Sequence, residues 1–239
     1  MYSFDSRVRY SECDSKWRLT IPAMVNYLQD CSTFHSENVG LGMKYLSEQH
    51  QGWILAAWMI EINRLPEFGE HITISTWCTD MGRLDAKRNF TIVDDSGEAC
   101  VRADSEWYLY DLAAERIIRI PEIERTYIVE GEKRLDMPPM RRKIPLEGEA
   151  KLADPIAVGP QHLDTNQHVN NAQYVLFAAD ALAELGLAAP TDILSVQYRN
   201  MARAGDTIVP EVHESEGGHT VALTDGGTTT YAVVRFQER

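Results

Sequence analysis

Cys13-Asp14-Ser15 leads into one amphipathic segment and Leu163-Asp164-Thr165 leads into another, and this repetition decides how the chain is read. From Ile21 to Phe34, the residues Ile21, Met24, Val25, Leu28, Cys31 and Phe34 fall at three- and four-residue spacing, the signature of one helical face. Thr20 is placed to cap this helix, Pro22 sits in its first turn and Gly40 lies just past its end. A second helix is written from Ala172 to Leu185, with Ala172, Val175, Leu176, Ala179, Leu182 and Leu185 on one face. Asn170 or Asn171 can cap it and Gly186 can stop it.

Strand patterns follow each helix. In the first half they run roughly from Trp53 to Ile62, His71 to Thr79, Leu84 to Val93 and Ala99 to Tyr110, with a hairpin turn at Asp95-Ser96-Gly97. In the second they run from Ile193 to Arg199, Thr207 to His213, Thr220 to Leu223 and Thr229 to Phe236, punctuated by Gly217-Gly218 and Gly226-Gly227. The order strand, helix, run of strands thus occurs twice, and Ile60 through Gly69-Glu70 matches Val196 through Gly205-Asp206. A lone helix on one antiparallel sheet leaves sheet edge and apolar face uncovered, so two such units are expected to pair side by side into one continuous sheet. The expected organisation is residues 1–130, a charged, proline-containing linker over 131–150, and residues 151–239.

Composition narrows the function. The chain has 239 residues, 44% of them hydrophobic, enough to bury a core. A net charge of -13 argues against nucleic acid as a partner, because neutralising phosphates needs a basic surface. The four cysteines, Cys13, Cys31, Cys78 and Cys100, form no C-x-x-C pair and no ligand-like cluster with histidine, so neither disulfide framework nor zinc site is expected. MYSFDSRVRY at the start lacks the apolar core of a signal peptide, and no apolar run is long enough to span a bilayer. A cytoplasmic protein is the expectation.

In a duplicated chain, polar residues found in one copy alone are candidates for function. Where the second half has Asp164, Asn166 and His168, the first has Asp14, Lys16 and Arg18, so one site is expected, in the second half. A carboxylate, an amide and an imidazole there stand just before a helix, whose N-terminal N–H groups can hold the oxygen of a polarised acyl carbonyl. If the segment is extended, alternate residues project to one side and supply base or nucleophile, water-orienting amide and proton carrier. The competing reading is structural, since Asp and Asn before a helix are ordinary caps and turn formers. An EF-hand is excluded by Val169 and Val175, which stand where Gly and Glu are required. There is no G-x-S-x-G elbow, and Gly40-Leu41-Gly42 lacks the rest of a dinucleotide fingerprint.

Asp164 to Tyr174, D-T-N-Q-H-V-N-N-A-Q-Y, resembles the signature of the acyl-acyl carrier protein thioesterases of plants and bacteria, and Ala103-Asp104-Ser105-Glu106-Trp107 with Ile120-Pro121 is similar to that family's A-x-S-x-W and I-P elements. The resemblance extends over nearly the whole chain. It implies an α+β double hotdog fold, two curved antiparallel sheets each wrapping a long helix, with the first hotdog shaping an acyl tunnel and the second holding the site. It implies hydrolysis of a fatty acyl thioester with no metal or organic cofactor, catalytic residues Asp164, Asn166 and His168, and a fatty acyl-loaded acyl carrier protein as partner. An acyl-CoA thioesterase and a non-hydrolytic acyl-carrier binder are the alternatives, and either a monomeric pseudo-dimer or a homodimer fits. The pattern departs where the family commonly has Glu-Cys, because Met201 and Ala202 stand there. Two accounts follow: Asp164 works as the single carboxylate, which the intact Asp-Asn-His set favours, or hydrolysis is lost and acyl-carrier binding kept. Docking an acidic carrier needs local positive charge, for which Arg83 with Lys87 and Arg88, Arg141-Arg142-Lys143, and Arg199 with Arg203 are the candidates.

Overall fold

The computed structural model describes residues 1–140 and 143–239. Its elements, in chain order, are β1 (Tyr2–Arg7), α1 (Ile21–Asn38), α2 (Met43–Glu48), β2 (Gln51–Ile62), β3 (His71–Met81), β4 (Asp85–Asp94), β5 (Ala99–Asp111) and the two-residue β6 (Arg116–Ile117), β7 (Lys151–Leu152) and β8 (Ile156–Ala157). They continue with α3 (Asn171–Glu184), β9 (Ile193–Tyr198), β10 (Thr207–Ser215), β11 (Gly218–Thr224) and β12 (Thr230–Gln237). The chain divides into two compact units, Met1–Trp58 with Asn63–Met140, and Met59–Ile62 with Arg141–Arg239.

In the first unit the strands lie in the order β1-β3-β4-β5-β2, antiparallel, with α1 packed on β1 and β3. Thr20 caps α1 by accepting from Ala23 N at 3.4 Å, and Met24, Val25, Tyr27, Leu28, Cys31, Ser32 and His35 are buried. The helix runs one turn further than the apolar spacing predicts and stops where Gly40 takes φ +78° and Leu41 N returns to Ser36 O at 2.9 Å. Phe34, expected in the core, is 45% exposed and meets Phe4 edge to face. In the second unit β9-β12-β11-β10-β7 form the sheet, with α3 packed on β10, β11 and β12. Each unit is therefore the helix-on-sheet arrangement expected of a hotdog. Gly218, after the tight turn from β10, is required by close approach, since a Cβ there would lie 2.0 Å from Phe236 O.

Cross-strand neighbours share a face, and this sorts the first unit's polar residues. Cys78, Arg88 and Ser105 are partners across β3, β4 and β5, and Arg88 turns toward α1, where its guanidinium meets His35 Nδ1 and lies 5.1 Å from the centre of the Tyr127 ring. At 8% exposure Arg88 cannot belong to a docking surface, which corrects its place among the basic candidates. Trp77, Asn89 and Asp104 form the adjacent row on the opposite face. There Trp77 Nε1 donates to Lys133 O at 3.0 Å, Leu135 N donates to Asn89 Oδ1 at 2.8 Å, and Arg134 pairs with the fully buried Asp104 at 2.6 Å. In the second unit Ile144 N donates to Gln197 Oε1 at 3.0 Å, and Glu147 O lies 3.2 Å from His213 Nδ1. The charged stretch between the repeats carries no helix or strand among its described residues, yet buried side chains of each unit hold it down.

His35 makes one titration visible in stability. Burial, then the Arg88 charge, push its pKa down to about 3. The folded state thus refuses a proton that the unfolded chain binds below about 6.5. Where the unfolded state binds more protons, stability rises with pH, so this group withdraws up to roughly 1.4 kcal/mol per pH unit as pH falls through that window. Urea unfolding between pH 6.5 and 5, above the range of most carboxylates, is expected to show this slope in the wild type and a flatter one in His35→Gln. Equal slopes would refute it.

Candidate active site

The segment carrying Asp164, Asn166 and His168 is a closed turn rather than an extended strand. Leu163 and Val169 bridge across it, Asp164 N donates to His168 O at 2.8 Å, and Gln167 takes a left-handed φ of 62°. Asp164 Oδ1 accepts from Asn166 N at 2.8 Å and from His168 N at 3.3 Å. Asp164 and His168 are half-buried; Asn166 is exposed and enters the turn through its backbone. Asn170 follows as the cap of α3, accepting from Ala172 N at 2.8 Å, so that helix N–H is already engaged.

The first unit repeats this turn closely. Cys13 bridges Leu19, Asp14 N donates to Arg18 O at 2.8 Å, Trp17 has φ 66°, and Asp14 Oδ1 accepts from Lys16 N at 2.8 Å and Arg18 N at 2.9 Å. The supporting bonds repeat as well. Val8 N to Glu70 O and Gly69 N to Val8 O correspond to Val158 N to Asp206 O and Gly205 N to Val158 O. Asp164 therefore has a folding role that Asp14 shares, and the structural reading of this carboxylate holds for one of its two oxygens.

The second oxygen separates the copies. Asp14 Oδ2 is occupied by Arg18, whose Nε and Nη2 approach to 3.3 and 3.1 Å. In the second unit His168 replaces that arginine, and Asp164 Oδ2 is outside the turn's own hydrogen bonding. His168 is held below the usual histidine range by burial first and by the Arg203 charge second, with Asp164 pulling the other way. An imidazole near a carboxylate oxygen that no described residue engages can receive and pass a proton.

The segment after β9 completes the surroundings. Val169 N donates to Ala202 O at 2.9 Å, and Ala202 N donates to the hydroxyl of Tyr174 at 2.9 Å. Met201 is 40% exposed and Ala202 fully buried, so this neighbour of the turn brings no titrating side chain of its own at either position. Tyr174 and Arg203 are the participants that residue type alone did not single out for this site. Aligning the repeats gives the signal, because Tyr174 falls opposite Met24, and Ala202 opposite Pro66. Among the described residues no group of three or more His, Cys, Asp or Glu is placed to hold a metal ion, and no helix is long and apolar enough to cross a membrane.

Comparison with known proteins agrees with the repeat. The family model for the acyl-ACP thioesterase N-terminal domain matches residues 1–127, and that for the C-terminal domain matches residues 148–238. A palmitoyl-acyl carrier protein thioesterase of Cuphea hookeriana is 31% identical over 92% of this chain and 58% of its own. Oleoyl-acyl carrier protein thioesterase 2 of Arabidopsis thaliana is 29% identical over 93% of this chain and 66% of its own. Both relatives are named as chloroplastic. Across such curated relatives the chain spans between 50% and 66% of the first three lengths. A crystal structure from Lactobacillus plantarum, provisionally named an oleoyl thioesterase, superposes with a TM-score of 0.84 at 26% identity, covering 99% of this chain and 94% of that one. An acyl-ACP thioesterase structure from Bacteroides thetaiotaomicron shares the fold, with a TM-score of 0.85 at 23% identity and 98% and 96% coverage.

Proposed function

The chain belongs to the acyl-ACP thioesterase family, and from that premise we propose that it hydrolyses the thioester of fatty acyl-acyl carrier protein to free fatty acid and carrier protein. The observation that carries this reading is the carboxylate oxygen of Asp164 that the turn leaves uncommitted near His168, against its closed counterpart at Asp14 and Arg18. As general base, Asp164 takes a proton from water as the water oxygen attacks the acyl carbonyl carbon; as nucleophile, it attacks that carbon itself and water then cleaves the acyl-enzyme. In the first route the C–S bond breaks as His168 relays the proton that Asp164 took from water to the departing thiolate. In the second the C–S bond breaks as the acyl-enzyme forms and the thiolate is protonated by solvent; His168 then takes the proton of the water that cleaves the acyl-enzyme and restores the Asp164 carboxylate. Asn166, exposed at the tip of the turn, orients the water.

In this reading the second hotdog, residues 151–239, is the catalytic half, and residues 1–130 shape the acyl tunnel, with 131–150 joining them. Trp58, Trp77 and Trp107 are buried in the first unit and Trp53 donates to the buried Glu124, in keeping with a half given to packing; Trp17 is 55% exposed. Of the basic candidates, Arg83, Arg199 and Arg203 are exposed, and Arg203 acts on His168 itself. Lys87 is half-buried and 3.9 Å from Asp80, Lys143 is exposed, and Arg141 and Arg142 lie outside the described residues. The Arg199–Arg203 segment is thus the docking surface of choice for an acidic carrier. A cytoplasmic location and a monomeric pseudo-dimer or homodimer belong to the same proposal, to be read by cell fractionation and sedimentation.

Met201 and Ala202 favour a second reading, carrier binding without hydrolysis, and an acyl-CoA thioesterase is the alternative substrate class. Thiol release from a panel of acyl-ACP and acyl-CoA substrates decides among them. Acyl-ACP turnover is expected to fall by roughly tenfold between 50 and 500 mM salt as docking charges are screened, with any acyl-CoA turnover changed less. Faster acyl-CoA hydrolysis would move the assignment to that class, and hydrolysis of neither would leave the binder.

A further inference from the structure

The two copies of the turn rest on different buried pairs. Leu19 N donates to Pro66 O at 2.8 Å, just as Val169 N donates to Ala202 O at 2.9 Å, so residues 66 and 202 hold the same backbone place. Proline has no N–H, and the helix residue that falls opposite Tyr174 in the first copy is Met24, whose thioether is only a weak acceptor. Ala202 does have an N–H, and the oxygen of the Tyr174 hydroxyl accepts it at 2.9 Å. Met24, Tyr174 and Ala202 are all buried, at 0%, 3% and 0% exposure. A buried N–H requires a partner, and the Tyr174 hydroxyl supplies one where residue 202 is not proline.

This pairing stands beside the turn in which Asp164 Oδ2 accepts no hydrogen bond from a described residue. The Tyr174 ring is steadied edge-on by Tyr198 at 5.9 Å between centres, and the Tyr198 hydroxyl donates to Asn171 O at 3.1 Å. The bond to Ala202 fixes the residue that precedes Arg203, while Arg203 N donates to Asp206 Oδ2 at 2.8 Å on the other side. Two charged groups act on His168, namely Asp164 from its own turn and Arg203 from this segment, with opposite signs.

We propose that Tyr174 is a positioning residue for the hydrolysis, holding the Ala202 N–H so that the segment 201–203, tied to the turn through Val169 N and Ala202 O, keeps Arg203 in its place beside the turn of Asp164 and His168. This rests on the reading of the Asp164 turn as the reacting site. Without the tyrosine hydroxyl, residues 201–203 are released, the Arg203 influence weakens, and Asp164 then draws a proton onto His168 at higher pH.

The test is an NMR titration of the His168 Cε1–H in the intact chain, assigned with His168→Gln and run on wild type and Tyr174→Phe. The midpoint is expected to rise by several tenths of a pH unit in Tyr174→Phe, and the acid limb of kcat/KM to move with it. We expect kcat to fall about tenfold with KM within about twofold, the pattern of misplaced chemistry rather than lost binding. The double variant Tyr174→Met with Ala202→Pro copies the first half and leaves no buried N–H unpaired. With the proline fixing residue 202 in place of the hydroxyl, it is expected to keep the wild-type melting temperature and a His168 midpoint closer to the wild type than that of Tyr174→Phe. An unchanged His168 midpoint in Tyr174→Phe overturns the proposal whatever the turnover. A wild-type chain that hydrolyses no acyl thioester overturns the hydrolytic reading instead, and leaves the titration to judge Tyr174 on its own.

Discussion

Asp164→Asn is expected to fold as the wild type does and to lose about a thousandfold in acyl-ACP turnover. The substitution separates the side chain's duty in the turn from its proposed duty in the reaction. Oδ1 closes the turn by accepting from Asn166 N and His168 N, and a carboxamide oxygen can accept the same two bonds. What the amide cannot do is take a proton from water or attack a carbonyl carbon. Asp164→Ala removes both duties, leaving the two N–H groups without their acceptor at a cost of about 1 kcal/mol in addition to the lost chemistry. Melting temperature and thiol release measured together distinguish the two variants. An Asn variant that keeps more than about a tenth of wild-type turnover would show that the Asp164 charge is not part of the reaction.

His168→Arg is expected to lower turnover about a hundredfold while leaving stability unchanged or slightly higher. In the first half an arginine at this place reaches back to the carboxylate oxygen that the turn does not use, at 3.1 and 3.3 Å. The same backbone surrounds His168, so a guanidinium there has the same reach. It would neutralise Asp164 and abolish proton transfer in one step. The Arg18–Asp14 pair is exposed, and such a pair contributes no more than about 1 kcal/mol, which bounds any gain in stability. Thermal unfolding and turnover again give the answer. Retained activity would mean that the imidazole is dispensable and the free oxygen irrelevant.

Much of the fold was legible because its periodicities are simple. The eight principal strands and both long helices lie within a few residues of their predicted bounds, and Thr20, Asn170 and Gly186 act as the cap and stop signals indicate. The extra turn of α1 was hidden because His35 and Ser36 are polar. His35 is buried and Ser36 half-buried against Arg88 and Tyr127, partners 53 and 91 residues away. Arg88 itself shows the limit of reading charge along a strand, since neighbouring residues point to opposite faces: Lys87 is half-buried beside Asp80, while Arg88 goes into the core. The stretch from Lys133 to Glu147 read as a linker because its anchors, Asn89, Asp104, Gln197 and His213, lie in strands that give no local sign of it.

At the site, residue types were legible and geometry was not. Asp14 in the first copy was a sign that this aspartate folds the turn, and the paired bonds bear out that role for one oxygen. Which oxygen remains open depends on what stands four residues later, Arg18 or His168. The link between Tyr174 and Ala202 spans 28 residues, and its one local sign is the absence of the proline that the first copy has at Pro66.

The central claim is that two matching turns differ in chemistry and that only the second reacts. Thiol release from acyl-ACP by Asp14→Asn and Asp164→Asn, measured side by side with the wild type, tests it most directly. Both variants keep the acceptor that closes their turn. Wild-type turnover from Asp14→Asn with about a thousandfold loss from Asp164→Asn is the predicted result. Equal losses in the two, or none in Asp164→Asn, would contradict it.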